Sequence, residues 1–227
     1  MIVHLVTDRR RLSGRDSTFA GARDCLLRQV AYAIEARVDV VQLRERDLEA
    51  ADLARLTMEA VALARGSGTR VVVNDRLDVA LAAGAAGVHL RGDSIAPRAA
   101  RSIAPLGFLI GRSVHAVEDA VRSAADVDYL IAGTVWDTES KAGAARSHAL
   151  LGVRGLTAVA AAVRVPIIAI GGVTAERVPA LAGSGAAGVA AIGLFMSRGA
   201  GVDCGAISLR DRVQAIRTRF DTSKRAS

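Results

Sequence analysis

Short apolar runs of strand length recur along the chain, and each is followed by a longer stretch with apolar residues at helical spacing. The runs predict eight strands, at 2–6, 38–43, 70–74, 87–90, 109–114, 128–133, 166–170 and 188–192. The intervening spacing predicts eight helices, at 22–36, 48–65, 75–83, 97–103, 116–124, 155–163, 175–183 and 206–220. The strands are apolar throughout instead of at every second position, which is typical of parallel strands covered on both faces.

The strict alternation of strand and helix predicts an α/β protein, a single (β/α)8 (TIM) barrel over residues 1–220. A doubly wound open sheet is the alternative. The sequence Gly-Ala-Ala-Gly-Val occurs at both 84–88 and 185–189, each time where a helix ends and a strand begins, and this repeat favours the barrel. Residues 221–227 are expected to form a polar C-terminal tail.

The composition limits the classes of binding partner and the cellular location that we expect for this protein. The uncharged apolar runs are shorter than the ~20 residues of a membrane-spanning helix, so no membrane partner is expected. A net charge of +7 favours anionic partners, but only 3% of the residues are aromatic, which argues against nucleic acid and for small phosphorylated substrates. The first charges follow the N-terminal apolar stretch, the reverse of a secretory signal, so a cytoplasmic location is expected. The oligomeric state stays open between a monomer and a homodimer.

Polar residues cluster where the predicted strands end, which in a parallel barrel is where active sites lie. Gln42, Arg44 and Arg46 alternate along the second strand, so all three are expected to face the barrel mouth. Two converging arginines fit a phosphate, because each guanidinium group presents paired donors to anionic oxygens. The alternative is an ion pair with Glu45 or Asp47, but those side chains are expected to point the other way.

The ends of the seventh and eighth strands carry glycines that suit a second phosphate site. Gly171 and Gly172 follow the seventh strand, and Gly193 follows the eighth. Glycine lets backbone N–H groups approach an anion closely, and the loops after these two strands bind phosphate in many barrels. Ordinary turn glycines are the alternative, since the chain contains 22 glycines.

Three further features suggest chemistry at the barrel mouth. Asp75, beside Asn74 at the end of the third strand, is a candidate Mg²⁺ ligand, with a helix N-cap as the alternative. His89 and His115 lie near strand ends and are candidate general acids or bases, with structural histidines as the alternative. Lys141 is the only lysine outside the C-terminal tail among 30 basic residues, which draws attention to the loop after the sixth strand.

Six segments carry a family resemblance. They are HLVTD at 4–8, VVQLRER at 40–46, VVVNDRLDVALAAGAAGVHL at 71–90, GRSVHAVEDA at 111–120, DYLIAGTVWDTESKAG at 128–143 and PIIAIGGVTAERVPALAGSGAAGVAAI at 166–192. In this order, over nearly the whole chain, they resemble the thiamine-phosphate synthase/TenI family. The resemblance implies a (β/α)8 barrel and one of two activities. A thiamine-phosphate synthase couples a pyrimidine pyrophosphate to a thiazole phosphate with Mg²⁺, whereas a TenI-type tautomerase isomerises the thiazole phosphate carboxylate with an active-site histidine.

The resemblance to the synthase also implies roles for individual residues. The catalytic residues would be Arg44, Arg46, Ser113 and Lys141. The residues that bind substrate and phosphate would be Gln42, Asn74, Thr138, Ser140, Gly171, Gly172 and Gly193. The metal would be held by Asp75 and Asp93, because the synthase's second metal aspartate falls on Ser94 and Asp93 precedes it by one residue.

Other positions are closer to TenI than to the synthase. They are Arg46, Ser94 and the segments GRSVH at 111–115 and WDTESK at 136–141, yet the tautomerase histidine falls on Thr134. The synthase residues at the ends of the third, fifth and sixth strands are retained together, so we expect an enzyme, the transferase of thiamine biosynthesis. A TenI-like tautomerase and a non-catalytic thiazole-phosphate binder are the alternatives.

Overall fold

Eight parallel strands form a closed barrel. The computed structural model describes residues 1–14, 18–137, 150–196 and 206–225. Its strands are β1 (Ile2–Val6), β2 (Val40–Leu43), β3 (Arg70–Asn74), β4 (Gly87–Leu90), β5 (Leu109–Val114), β6 (Tyr129–Gly133), β7 (Ile167–Ile170) and β8 (Gly188–Ala191). They pair in sequence order, β8 returns to β1, and every pairing is parallel. The predicted (β/α)8 barrel is confirmed, and the open sheet is excluded.

Helices surround the barrel. In the described ranges they are α1 (Arg9–Ser13), α2 (Phe19–Glu35), α3 (Ala50–Ala64), α4 (Leu77–Ala82), α5 (Pro97–Ile103), α6 (Val117–Ser123), α7 (Gly152–Ala162), α8 (Val178–Ala182) and α9 (Ala206–Arg225). Single 3₁₀ turns lie at Ala124–Asp126 and Gly193–Phe195. In these parts of the chain, no helix combines the length and the apolar character needed to span a membrane.

Several boundaries differ from the sequence prediction by one to three residues, and three differences bear on the fold. The pattern does not predict α1, because RRRLS contains a single apolar residue; Asp8 caps this helix by accepting from the Arg11 N–H at 3.1 Å. β2 begins two residues later than predicted, because the Val38 N–H donates to the Ala33 carbonyl at 2.9 Å and closes the end of α2. The last helix continues past residue 220 to Arg225, so most of the predicted tail is helical.

The strands separate two apolar cores. Alternate strand residues, such as Leu5, Leu43 and Leu90, pack outward against the helices. A smaller apolar cluster lies inside the barrel, and its buried members are Val6, Tyr129, Ile131, Ile168 and Ala190. The buried polar side chains His4, Gln42 and His89 come from β1, β2 and β4. The barrel interior is therefore mostly apolar along β6 to β8, whereas β1, β2 and β4 contribute its buried polar side chains.

Tyr129 joins the apolar and polar parts of the interior. Its ring is stacked on His89 with the centroids 5.6 Å apart, and it lies 5.7 Å from the His4 ring. Gly111 on the neighbouring strand makes room for it, because a Cβ there would lie 2.1 Å from Tyr129 Cζ. The three rings pack together and support the polar residues that lead to the mouth.

Candidate active site

The polar part of the interior begins at His4 and ends at the barrel mouth. His4 Nε2 lies 3.0 Å from Gln42 Oε1, and Gln42 Nε2 donates to Asn74 Oδ1 at 2.9 Å. The three side chains meet because β1, β2 and β3 are adjacent parallel strands. Gln42 and Asn74 thus contact each other, and their predicted roles in binding substrate and phosphate stay predictions. His4, which the sequence does not single out, forms the buried end of the chain of hydrogen bonds.

Arg44 and Arg46 follow β2 instead of lying in it, because the strand ends at Leu43. The predicted alternation through residue 46 is wrong in this respect. Arg44 is half-buried and Arg46 is exposed. Burial lowers the pKa of Arg44, and the positive charges of Arg46 and Arg91 lower it further. Arg44 therefore lies near two other positive charges, which the negative charges of Asp8 and Glu45 partly oppose, and a bound anion would stabilise it further.

The carboxylates beside these arginines are engaged elsewhere, as expected. Arg9 pairs with Glu45 at 3.0 Å and with Asp47 at 2.6 Å, and the Arg9 and Glu45 side chains are only 7% and 2% exposed. Hydrogen bonding from Arg9 lowers the pKa of Asp47 to about 2, whereas burial raises the pKa of Glu45. Within the described ranges, neither Arg44 nor Arg46 has an ion-pair partner.

Asp75 lies directly after β3 in the left-handed backbone conformation, with φ of 67°. Its N–H donates to the His89 carbonyl at 2.9 Å, which fixes this loop against β4. Its carboxylate accepts a hydrogen bond from the Ser94 hydroxyl, and Arg91 Nη1 lies 3.6 Å from Oδ2. Helix α4 begins at Leu77 without a side-chain cap, so the alternative role of Asp75 as an N-cap is wrong.

Ser94, rather than Asp93, contacts the Asp75 side chain. The Asp93 side chain is 69% exposed and pairs with Arg91. Arg91 therefore contacts both carboxylates. Among the described residues, no group of three His, Cys, Asp or Glu side chains is arranged to hold a metal ion. The assignment of Asp75 and Asp93 as Mg²⁺ ligands stays a prediction.

Ser113 and two histidines lie on the next part of the mouth. The Ser113 hydroxyl is 2.9 Å from His89 Nε2, and His89 is buried. Burial lowers the pKa of His89 well below its usual 6.5, so this ring is neutral at pH 7. His115 Nδ1 donates to the Gly133 carbonyl. Both histidines therefore make structural hydrogen bonds, which supports the structural alternative over acid–base catalysis.

The glycine loops after β7 and β8 present backbone donors. Gly171 and Gly172 have φ of 102° and 65°, and a Cβ would lie 2.3 Å from Thr134 Cγ2 at the first and 2.7 Å from Trp136 Cβ at the second. Within the described part of the chain, their two N–H groups have no acceptor. Gly193 begins a 3₁₀ turn, where its N–H has no acceptor within the turn. Such donors suit an anion.

Two arginines that the sequence does not single out flank these glycines. Arg177 donates to the Gly172 carbonyl at 2.8 Å, and its guanidinium carbon lies 5.3 Å from the Trp136 ring centre. Arg11 Nη2 would be 3.7 Å from a Cβ on Gly193. Both are basic residues that follow a strand end, β1 for Arg11 and β7 for Arg177, and this position is the sequence signal that indicates them. Their charge adds to the attraction of the backbone donors for an anion.

Part of the predicted site lies outside the described residues. The predicted site residues in that part are Thr138, Ser140 and Lys141. The preceding residue, Asp137, is described, and its carbonyl oxygen would lie 2.9 Å from a Cβ on Gly172. The loop that carries the three residues therefore starts beside the glycine turn after β7, and their roles stay predictions.

Comparison with known proteins gives consistent results. A family model described as thiamine monophosphate synthase matches residues 12–195. A thiamine-phosphate synthase of Methanoculleus marisnigri is 42% identical over 180 residues, which are 79% of this chain and 83% of that protein. One of Azorhizobium caulinodans is 32% identical over 224 residues, 98% and 96% of the two chains. The solved structure of a thiamine phosphate pyrophosphorylase from Pyrococcus furiosus matches with a TM-score of 0.77, 26% identity and coverage of 98% and 96%.

The names of these relatives bear on the two subfamilies. The proteins from Methanoculleus and Azorhizobium are both named as synthases, so the predicted closer similarity to TenI at Arg46, Ser94 and two loop segments gains no support. The family match spans most of the barrel, from α1 to the turn after β8. It includes the described residues around Asn74, Asp75 and the glycine loops. The chain belongs to the thiamine monophosphate synthase family.

Proposed function

We propose that this chain is a thiamine-phosphate synthase, a transferase that joins a pyrimidine pyrophosphate to a thiazole phosphate and releases pyrophosphate. The observation that carries the proposal is that two groups of donors suited to anions lie at the carboxyl ends of the strands of one barrel. The first consists of the arginines after β2 and β4, and the second of the glycine loops after β7 and β8. Two such regions match two phosphorylated substrates, and relatives named as synthases support the same reaction.

The glycine loops bind the thiazole phosphate in this proposal. The N–H groups of Gly171, Gly172 and Gly193 supply donors that need no side-chain ordering on binding. Arg177, held by the Gly172 carbonyl, adds a positive charge beside them. The phosphate anchors the thiazole, so that the nitrogen of its ring is held toward the other end of the mouth.

The arginine region binds the pyrophosphate group. In the reaction, the C–O bond between the pyrimidine methylene carbon and pyrophosphate breaks, and the electron pair leaves on the pyrophosphate oxygen. The lone pair of the thiazole nitrogen forms the new C–N bond, and no proton is transferred in this step. Arg44 and Arg46, with Lys141, stabilise the negative charge that grows on the leaving group. Ser113, held by His89, orients the pyrimidine.

Asp75 fits a Mg²⁺ ion that arrives with the pyrophosphate. Mg²⁺ prefers oxygen ligands and is commonly held by one or two carboxylates together with substrate phosphates. The Asp75 carboxylate and the Ser94 hydroxyl are oxygen donors at the mouth, and Asp93 is a second carboxylate once it separates from Arg91. When bound, Mg²⁺ would neutralise part of the charge on the leaving pyrophosphate.

The tautomerase alternative needs a proton-transfer group, and both candidate histidines are engaged in other hydrogen bonds. Thr134 occupies the position of the tautomerase histidine. His89 is buried and bonded to Ser113, and His115 is bonded to the Gly133 carbonyl. The transferase needs no such group in its central step, which is a further reason to prefer it.

Calorimetry of pyrophosphate binding tests the proposed function. Mg²⁺ should raise the affinity of the protein for pyrophosphate. Asp75→Asn should remove most of this increase, so that its affinity in the presence of Mg²⁺ is about tenfold lower than that of the wild type. Thiazole-phosphate affinity should stay within about twofold. Asp78→Asn is the matched control, because Asp78 is a nearby exposed carboxylate paired with Arg76. No effect of Mg²⁺ on the wild type would contradict the transferase.

A further inference from the structure

The chain of hydrogen bonds from His4 through Gln42 to Asn74 has a fixed direction. Gln42 Nε2 donates to Asn74 Oδ1 at 2.9 Å, so the other end of the same amide, Oε1, is an acceptor that faces His4 Nε2 at 3.0 Å. His4 must therefore donate from Nε2. In both hydrogen bonds, the donor lies on the side of the barrel interior and the acceptor on the side of the mouth.

This direction determines the tautomer of His4. Burial lowers its pKa to about 4, so the ring is neutral at pH 7 and carries a single N–H. Because that proton is on Nε2, Nδ1 has a bare lone pair. His4 Nδ1 is buried and has no partner among the described residues, and the Tyr129 and His89 rings pack beside the His4 ring. The imidazole is thus held in one protonation state by its surroundings.

We propose that His4 is a positioning residue which, through Gln42, fixes the Asn74 amide with its NH₂ group available to a phosphate oxygen of the pyrophosphate substrate. This inference rests on the proposed function. Asn74 Oδ1 is already used by Gln42, and no hydrogen bond of the Asn74 NH₂ group is present in the described part of the structure. With the opposite direction, Asn74 would turn its carbonyl oxygen toward the anion and repel it. Successive donors also polarise one another, which strengthens the last bond in the chain.

The contact lies at the right place for such a role. Asn74 is the last residue of β3, adjacent to Asp75, and Gln42 lies on the neighbouring strand β2, two residues before Arg44. His4 itself is completely buried and reaches no ligand. It acts only through the amide of Gln42.

Nitrogen-15 NMR of the histidine rings tests the direction in the wild-type protein. At pH 7, His4 should give the pattern of a neutral ring protonated on Nε2, and its signals should be identified by their loss in His4→Gln. A ring protonated on Nδ1, or a doubly protonated ring, would overturn the inference. This measurement does not depend on any substrate.

Pyrophosphate binding in the presence of Mg²⁺ tests the consequence. His4→Phe should weaken binding by about tenfold or more, because Gln42 loses the donor that fixes its amide. His4→Gln keeps a side-chain N–H at a similar reach and should restore most of the affinity. Tyr129→Phe is the control: it removes a hydroxyl without a partner among the described residues and should leave binding within about twofold.

The outcomes separate the inference from the proposed function. Equal losses in His4→Phe and His4→Gln, or no loss in either, would contradict the positioning role even if the enzyme is active. Absence of pyrophosphate binding in the wild type would contradict the proposed function, and with it the role of Asn74. A thermal melt of each variant distinguishes a loss of binding from a loss of folding.

Discussion

At the scale of single residues, Arg91 has a position that bears directly on metal binding. It pairs with Asp93 and lies 3.6 Å from Asp75, so one guanidinium group contacts the two carboxylates predicted to hold Mg²⁺. A divalent cation that used both carboxylates would have to displace it. We therefore expect Arg91 to compete with a metal ion in the free protein, and a pyrophosphate group that accepts its N–H donors to remove the competition.

Replacing Arg91 by glutamine should strengthen metal binding to the free protein. We expect Arg91→Gln to raise the affinity for Mn²⁺ by about two- to fivefold, the size of effect expected for the loss of an exposed ion pair. Mn²⁺ binding is followed by electron paramagnetic resonance in the absence of pyrophosphate. Arg76→Gln removes the same charge from the neighbouring loop, where it pairs with Asp78 instead. An equal increase in both variants would show a general charge effect and contradict the specific competition.

Buried neutral histidines make the stability of the barrel depend on pH. His4 has a pKa of about 4 when folded and about 6.5 when unfolded, so between these values the unfolded chain binds more protons. The free energy of unfolding should therefore fall as the pH drops from 6.5 toward 4, with His89 acting in the same direction. His4→Gln should reduce the fall in the free energy of unfolding between pH 6.5 and pH 4 by about 3 kcal/mol. Parallel curves in urea denaturation for the two proteins would contradict it.

At the scale of elements, the turn after β7 and the turn after β8 differ in how strictly they require glycine. Gly172 has a φ of 65°, and a Cβ there would approach Trp136 Cβ to 2.7 Å and the Asp137 carbonyl oxygen to 2.9 Å. At Gly193, a Cβ would meet only the flexible end of Arg11, at 3.7 Å. The first turn is therefore fixed by its backbone, whereas the second tolerates a side chain.

Alanine substitutions should separate the two turns. Gly172→Ala is expected to weaken thiazole-phosphate binding by about tenfold, because relief of about 1–3 kcal/mol of left-handed strain moves the N–H groups away from the anion. Gly193→Ala should change affinity by about twofold or less. Binding is measured by calorimetry, with a thermal melt of each variant. Similar losses in both would contradict the distinction.

At the scale of the whole molecule, the apolar pattern predicts most of the fold. The strands β1, β3, β4 and β5 match their predicted limits, and a polar residue directly follows each of them. The short charged helix α1 has no such pattern, and its cap by Asp8 depends on local hydrogen bonding. β2 ends at Leu43, as predicted, so the alternation that predicts a common direction for Gln42, Arg44 and Arg46 does not continue through the turn after it.

The candidate site is predictable only in part, for a related reason. Residue type and position at strand ends single out Gln42, Asn74 and the glycine loops. Contacts between loops are different, because they depend on barrel register and side-chain reach: the approach of Arg91 to Asp75 and the burial of Arg9 by Glu45 join segments far apart in sequence. The inward position of His4 follows from the two-residue period of β1, which the sequence analysis did not apply to it.

The central claim is that this chain forms a carbon–nitrogen bond between two phosphorylated substrates. The most direct measurement is a product assay of the purified protein with the pyrimidine pyrophosphate and the thiazole phosphate, with and without Mg²⁺. We expect thiamine phosphate and pyrophosphate in equal amounts when both substrates and Mg²⁺ are present, and a strong decrease with Asp75→Asn. Isomerisation of the thiazole phosphate carboxylate without metal, or binding of thiazole phosphate with no product at all, would contradict the account.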